Sequence, residues 1–213
     1  MKLLAIGAHL DDIELACGGT LARAIQNGHE VSMVVLSDSS YTLYNGKVMR
    51  TKSNAIREGK EAAKILGVKN FEIWNFPTKD IPYDSKVVEK LDKKINVFKP
   101  DIIFTHWPFD THKSHQNTAL SSISAARYQN SILMYEPITP AGRSYVGFRP
   151  QVYVDISDFI DQKLEALKAH KTEYKKYGEE WLEGVKARAT YRGFEIGKKY
   201  AESFEVMRYE LSV

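Results

Sequence analysis

Short apolar runs alternate along this chain with longer stretches whose apolar residues recur at helical spacing, and this rhythm limits the fold more than any single residue does. Residues 2–7, 30–36, 71–75, 101–106 and 131–135 each have the length and composition of a buried strand. Between them the spacing predicts helices over 13–27, 52–66, 84–98 and 115–127, with Asp84 as a cap and Gly28 and Gly67 as stops. Strands separated by helices are joined by crossovers, which make them parallel. The fold class read from this order is α/β: a Rossmann-like, mostly parallel sheet with helices on both faces, in a single domain over residues 1–213.

Two segments depart from the rhythm. Residues 37–51 read as polar and irregular, and Pro137, Pro140, Gly142, Gly147 and Pro150 break up a stretch that is expected to cover the site. A strand over 151–156, a helix over 158–170 capped by Ser157 and a terminal strand near 204–209 complete the pattern. The Lys- and Glu-rich run over 168–183 reads as a solvated helix face.

Composition removes several function classes. The net charge is only +3 with both signs interspersed, so no basic footprint for nucleic acid is present. Cys17 is the sole cysteine, which excludes an intramolecular disulfide and a Cys-rich zinc cluster and fits a reducing compartment. No run reaches the roughly 20 apolar residues of a transmembrane segment, and the chain begins directly in a strand, so a cytoplasmic location is expected.

The chemistry concentrates where strands hand over to helices. His9-Leu10-Asp11-Asp12 follows the first strand, and Asp110-Thr111-His112-Lys113-Ser114-His115 follows the strand ending at His106. In an open α/β sheet, loops at the carboxyl ends of strands converge on one crevice. His9, Asp12 and either His112 or His115 would then make a three-ligand site with a position open for water; spacing alone does not choose between the two histidines. The first turn lacks G-x-G-x-x-G and puts acids where a pyrophosphate would sit, which argues against dinucleotide binding.

These motifs resemble the PIG-L/LmbE-like family of zinc-dependent N-acetyl sugar deacetylases. The family's His-Pro-Asp-Asp motif, closely followed by Glu, is similar to His9 to Glu14, and its Asp-x-His-x-Asp-His motif to Asp110 to His115. Arg57-Glu58 with Ala62 to Gly67, and Arg192-Gly193 with Tyr200-Ala201-Glu202, extend the likeness over most of the chain. The resemblance implies one Zn2+ per chain on His9, Asp12 and His115, with Asp11 as general base. His112 would steady the oxyanion or protonate the leaving amine. The implied substrate is a small N-acetylated amino sugar or its conjugate, and a homo-oligomer is compatible with it. An amidase acting on another acylated molecule, or a non-catalytic carbohydrate- or nucleotide-binding protein retaining the site, are the alternatives.

Two positions depart from the family pattern: Leu10 replaces proline, leaving that turn less rigid, and Ser114 replaces an aspartate that could orient His112. Asp110 is a candidate to compensate. Glu14 is a candidate partner behind the ligands or a first-turn acid, and Arg57 a candidate to bind substrate through its guanidinium fork, or else a surface pair with Glu61. His106 is expected to be a hydrogen-bonded structural residue, and His29 and His170 ordinary surface or helix-end residues. Trp107, Tyr135 and Tyr145 could offer a sugar a flat apolar face, with core packing the stronger reading for Tyr135. Tyr191 and Tyr200 either touch substrate or support the last helix.

Overall fold

A computed structural model describes residues 1–138 and 144–211. In chain order the elements are β1 (Lys2–Gly7), α1 (Asp12–Gln26), β2 (Glu30–Ser37), β3 (Tyr41–Thr42), β4 (Val48–Arg50), α2 (Lys52–Leu66), β5 (Asn70–Phe76) and α3 (Ser85–Phe98). They continue as β6 (Ile102–Thr105), α4 (Lys113–Ala125), β7 (Ile132–Tyr135), β8 (Val152–Asp155), α5 (Ile160–Ala169), α6 (Lys171–Tyr177), α7 (Glu179–Glu195) and β9 (Ala201–Arg208). The expected local signals operate: Asp84 accepts the Val87 N–H to start α3, and Gly67 ends α2 in the left-handed region at φ 83°. Ser157 is not the cap of α5. Its hydroxyl donates to Asp155 at 2.6 Å, and the helix begins at Ile160.

Seven strands form one sheet in the order β5-β2-β1-β6-β7-β9-β8. The pairs from β5 to β7 are parallel, while β9 runs antiparallel to both β7 and β8. Alternation along β1 shows why both faces are covered. Leu3 and Ala5 join a core with α1, α2 and α5, whereas Leu4 and Ile6 join a second core with α3 and α4. No helix among the described residues is long and apolar enough to cross a membrane.

Strand order reverses at β1. The chain goes from β1 to β2 on one side and returns through β6 on the other, so the loops after β1 and β6 border the same crevice. Residues 37–51, expected to be irregular, instead contain the antiparallel β3–β4 pair. Asn45-Gly46 is the signal that sequence reasoning passed over, since Gly46 takes φ 82° and donates its N–H to the Leu43 carbonyl.

Helix α1 is two helices merged at a kink, where Cys17 has φ −142°. The kink has protein partners: Lys163 Nζ donates to the Leu15 carbonyl at 2.7 Å, and the Glu202 carboxylate accepts the N–H groups of Gly19 and Thr20 at 3.0 and 2.7 Å. Cys17 is buried inside this arrangement, and burial pushes its thiol well above the ordinary range. It is a packing residue.

Candidate metal centre and active site

The turn between β1 and α1 is held from several sides. Leu10 is fully buried and its N–H donates to Ser39 Oγ at 2.7 Å, while its carbonyl accepts from the Arg50 guanidinium at 2.9 Å. A proline at position 10 has no N–H for the first of these bonds. The turn is therefore fixed by hydrogen bonds and burial rather than by a ring, which corrects the expectation of a looser turn. Asp11 takes φ 143° and ψ −23° at the N-cap of α1, a conformation L-residues rarely adopt, and its side chain makes no capping bond. Asp12 Oδ2 accepts the His9 N–H at 2.6 Å.

The loop after β6 brings the second half of the site. Nδ1 of His9 and Nε2 of His115 lie 3.2 Å apart; His9 Nδ1 is 3.3 Å from Asp12 Oδ2, and His115 Nε2 is 3.3 Å from Asp12 Oδ1. Ligand bonds of about 2.0–2.1 Å in a tetrahedral site imply ligand–ligand edges of about 3.3 Å. The two ring nitrogens thus each meet a different oxygen of the one Asp12 carboxylate, a cluster whose spacing suits a small divalent cation such as zinc. His112 with His9 and His115, and His106 with Asp12 and His115, also bring donor atoms within 4.8 Å of one another, so both remaining imidazoles border the same point.

The other ring nitrogens have the partners that metal-binding histidines require. His115 Nδ1 is 2.9 Å from Asp110 Oδ2, and His9 Nε2 is 3.3 Å from the Thr78 carbonyl. Ser114 Oγ donates to that same carbonyl at 2.9 Å. Asp110 therefore orients His115, and its other oxygen accepts the backbone N–H of His112 rather than the ring. His106 Nε2 stands 3.0 Å from the Ala8 amide and 3.1 Å from Asp12 Oδ2, with its ring stacked on His115. It both lines the cleft and supports the ligands.

Charge follows from these contacts. Burial opposes ionisation of Asp12, but His115, His106 and His9 outweigh it and hold the carboxyl well below its usual range. Burial likewise opposes charge on His115, yet Asp12 and Asp110 lift it to about 10 in the metal-free protein. Burial, reinforced by His115 and His9, lowers His112 to about 4 and leaves it neutral. Asp11 is pushed up to about 7 by burial and by Asp12 beside it. A bound cation would pull it the other way.

All of these groups open on one cleft of about 330 Å³. Its further wall was not found from sequence: Tyr41 and Arg50 come from the segment read as irregular, and Glu173, Lys176, Tyr177 and Trp181 from the run read as a solvated face. Arg50 is buried and bonded to Glu58 at 3.1 Å and to His170 Nδ1 at 2.9 Å. His170 does sit at a helix end, but it is fully buried, and its Nε2 faces Glu14 at 3.1 Å. Glu14 is thus tied to His170 behind Arg50.

Arg57, expected at the substrate, does not reach the cleft. It lies on the outward face of α2, exposed, and donates to Asn54 Oδ1 at 2.9 Å. Helical spacing puts Ala55, Glu58, Gly59 and Ala62 inward and position 57 outward. Among the described residues, the arginine that lines the cleft is Arg50. Tyr145 is almost fully exposed and outside the cleft; Trp107 and Tyr135 line it while buried, with Tyr135 donating to the Phe104 carbonyl. Tyr191 is exposed and Tyr200 buried, and neither lines the cleft. Of the covering stretch, Pro137 lines the cleft, while Pro140 and Gly142 lie outside the described residues.

Donors able to hold one cation with a further acid beside them are what hydrolysis by activated water requires, so the arrangement is that of a candidate metal-dependent hydrolase. The chain belongs to the PIG-L family, described as GlcNAc-PI de-N-acetylase, which it matches over residues 4–126, more than half its length. It is similar to the diacetylchitobiose deacetylase of Thermococcus kodakarensis, at 28% identity over 216 residues, covering 94% of this chain and 81% of that protein. An uncharacterized deacetylase, YaiS, of Escherichia coli is 33% identical over 177 residues, covering 80% of this chain and 90% of its own. Among solved structures, the N,N'-diacetylchitobiose deacetylase from Pyrococcus horikoshii superposes with a TM-score of 0.83 at 25% identity, covering 97% of this chain and 83% of that one.

Proposed function

We propose that this protein is a zinc-dependent N-deacetylase that hydrolyses the acetamido group of a small N-acetylated amino sugar or its conjugate. The observation that carries this reading is the cluster of His9, Asp12 and His115: the two ring nitrogens are 3.2 Å apart and each lies 3.3 Å from its own oxygen of the Asp12 carboxylate, a spacing that suits one small cation. Membership of the family and likeness to named sugar deacetylases support the substrate class.

When bound, the cation supplies Lewis acidity that polarises a carbonyl and acidifies water. Asp11, held at the cleft by its unusual backbone conformation and free of capping bonds, accepts the proton of the attacking water. Neutral His112 keeps an N–H to donate to the oxyanion that develops on the former carbonyl. The proton then passes to the amide nitrogen as the C–N bond breaks, giving acetate and a free amine.

Acetate release from N-acetylglucosamine and N,N'-diacetylchitobiose by the zinc-supplemented protein tests the reading. Release that stops on chelation and returns with zinc is the expected result. Retention of zinc without release of acetate from any acetamido sugar would leave a binding protein, not an enzyme.

A further inference from the structure

We propose that His170 is a positioning residue for this reaction: its imidazole closes a loop of hydrogen bonds across the turn that carries Asp11 and holds that acid in its unusual conformation. The inference rests on the deacetylase reading, and it gives a task to a buried group that the mechanism leaves unused. His170 lies where α5 ends and α6 begins, is fully buried, and does not line the cleft. It therefore acts through other residues.

The placement of its proton follows from its partners. A guanidinium offers donors and no acceptor, so the 2.9 Å contact between Arg50 Nη2 and His170 Nδ1 requires the lone pair to be on Nδ1. The ring proton is then on Nε2, which faces Glu14 Oε1 at 3.1 Å. Arg50 carries the first contact to the active site, because its other terminal nitrogen donates to the Leu10 carbonyl at 2.9 Å. The loop thus leaves the chain at Leu10, passes through Arg50 and His170, and returns at Glu14. Asp11, at φ 143°, lies between its two ends.

Asp11 depends on this closure more than its neighbour does. Asp12 Oδ2 accepts the His9 N–H at 2.6 Å and stands 3.1 Å from His106 Nε2, whereas the Asp11 side chain makes no capping bond. The outer side of the loop is anchored as well. Glu58 accepts from Arg50 through Oε2 at 3.1 Å, and through Oε1 from the N–H and hydroxyl of Thr172, two residues beyond His170, at 3.1 and 2.7 Å. Removing the imidazole should therefore loosen Asp11 and leave the donors for the cation in place.

Turnover and metal content of His170→Phe, which keeps an aromatic ring and removes both bonds, test the assignment. For acetate release from N-acetylglucosamine by the zinc-loaded variant, kcat should fall about 10- to 100-fold, with KM within about twofold and zinc still at one per chain. His170→Gln, whose amide again offers an acceptor beside a donor, should regain most of the loss. Glu14→Leu opens the loop at its other end and repeats the test if the phenylalanine variant does not fold. Unchanged kcat, a change confined to KM, loss of zinc in step with activity, or a glutamine variant as slow as the phenylalanine one would overturn the assignment. If the unmutated protein releases no acetate, the deacetylase reading falls and amide hydrogen exchange decides the loop alone. Exchange over residues 9–14 should quicken in His170→Phe and not in His170→Gln, and unchanged exchange in the former would sink the inference.

Discussion

Oδ2 of Asp110 lies 2.9 Å from Nδ1 of His115, and this bond aims the opposite ring nitrogen at Asp12 and His9. The other carboxylate oxygen accepts the His112 N–H, so one side chain sets the start of α4 and the proposed ligand inside its first turn. Asp110→Ala leaves His115 free to rotate. Zinc affinity is expected to fall about 10- to 100-fold, measured by competition with a chromogenic chelator.

Asp11 offers a carboxylate at the cleft and takes part in none of the contacts among His9, Asp12 and His115. Asp11→Asn should keep one zinc per chain by metal analysis and lower kcat by about 10²- to 10⁴-fold. A normal turnover rate in that variant would show that another group takes the proton.

Leu10 connects the core to the catalytic turn. It packs so closely on Gly59 that a Cβ there would come within 2.5 Å of Leu10 Cδ2, and its side chain is fully buried. Leu10→Ala is expected to cost about 2–5 kcal/mol in urea unfolding. It should also lower kcat more than it changes zinc content, since Asp11 is the next residue and depends on this anchor for its placement.

Glu136 supports the far side of the cleft. Arg192 grips it with two bonds of 2.6 and 3.0 Å, and Ser203 donates at 2.7 Å; burial opposes its charge, but Arg192, Arg188 and Ser203 outweigh that and hold its pKa below the ordinary 4.5. The stabilisation is complete above pH 4.5 and is lost as pH falls through the lower folded value. Glu136→Gln should cost about 1–3 kcal/mol at pH 7. In thermal melts from pH 7 to 3, the wild-type advantage should stay level down to about pH 4.5 and shrink below it.

The strands and helices that build the parallel sheet were legible because each is long and strongly periodic: 52–66 and 2–7 were read with the bounds the structure shows. His9 and Asp12 could be grouped with either His112 or His115 because strand order brings the ends of β1 and β6 together, and the family resemblance chose His115. Arg50 was missed because it ends a three-residue strand, too short for periodicity to register, in a hairpin whose Asn45-Gly46 turn was read as loop. Glu173 and Lys176 were missed for the opposite reason. Charged residues at helical spacing look alike whether they face water or a cleft, and only the packing of α6 near Arg50 and Tyr41 decides which. His170 lacks any local cue, since its partners Glu14 and Arg50 are far away in sequence.

The backbone of Asp11, at φ 143°, carries a penalty of order 1–3 kcal/mol that the surrounding bonds of Ser39 and Arg50 to Leu10 help sustain. Any laboratory selection for heat tolerance alone would press on this residue, because glycine relieves the conformation that aspartate resists. A hardier protein obtained that way would have traded away the proposed proton acceptor. Robustness in this enzyme has to be sought away from the turn, where tougher and slower are not the same substitution.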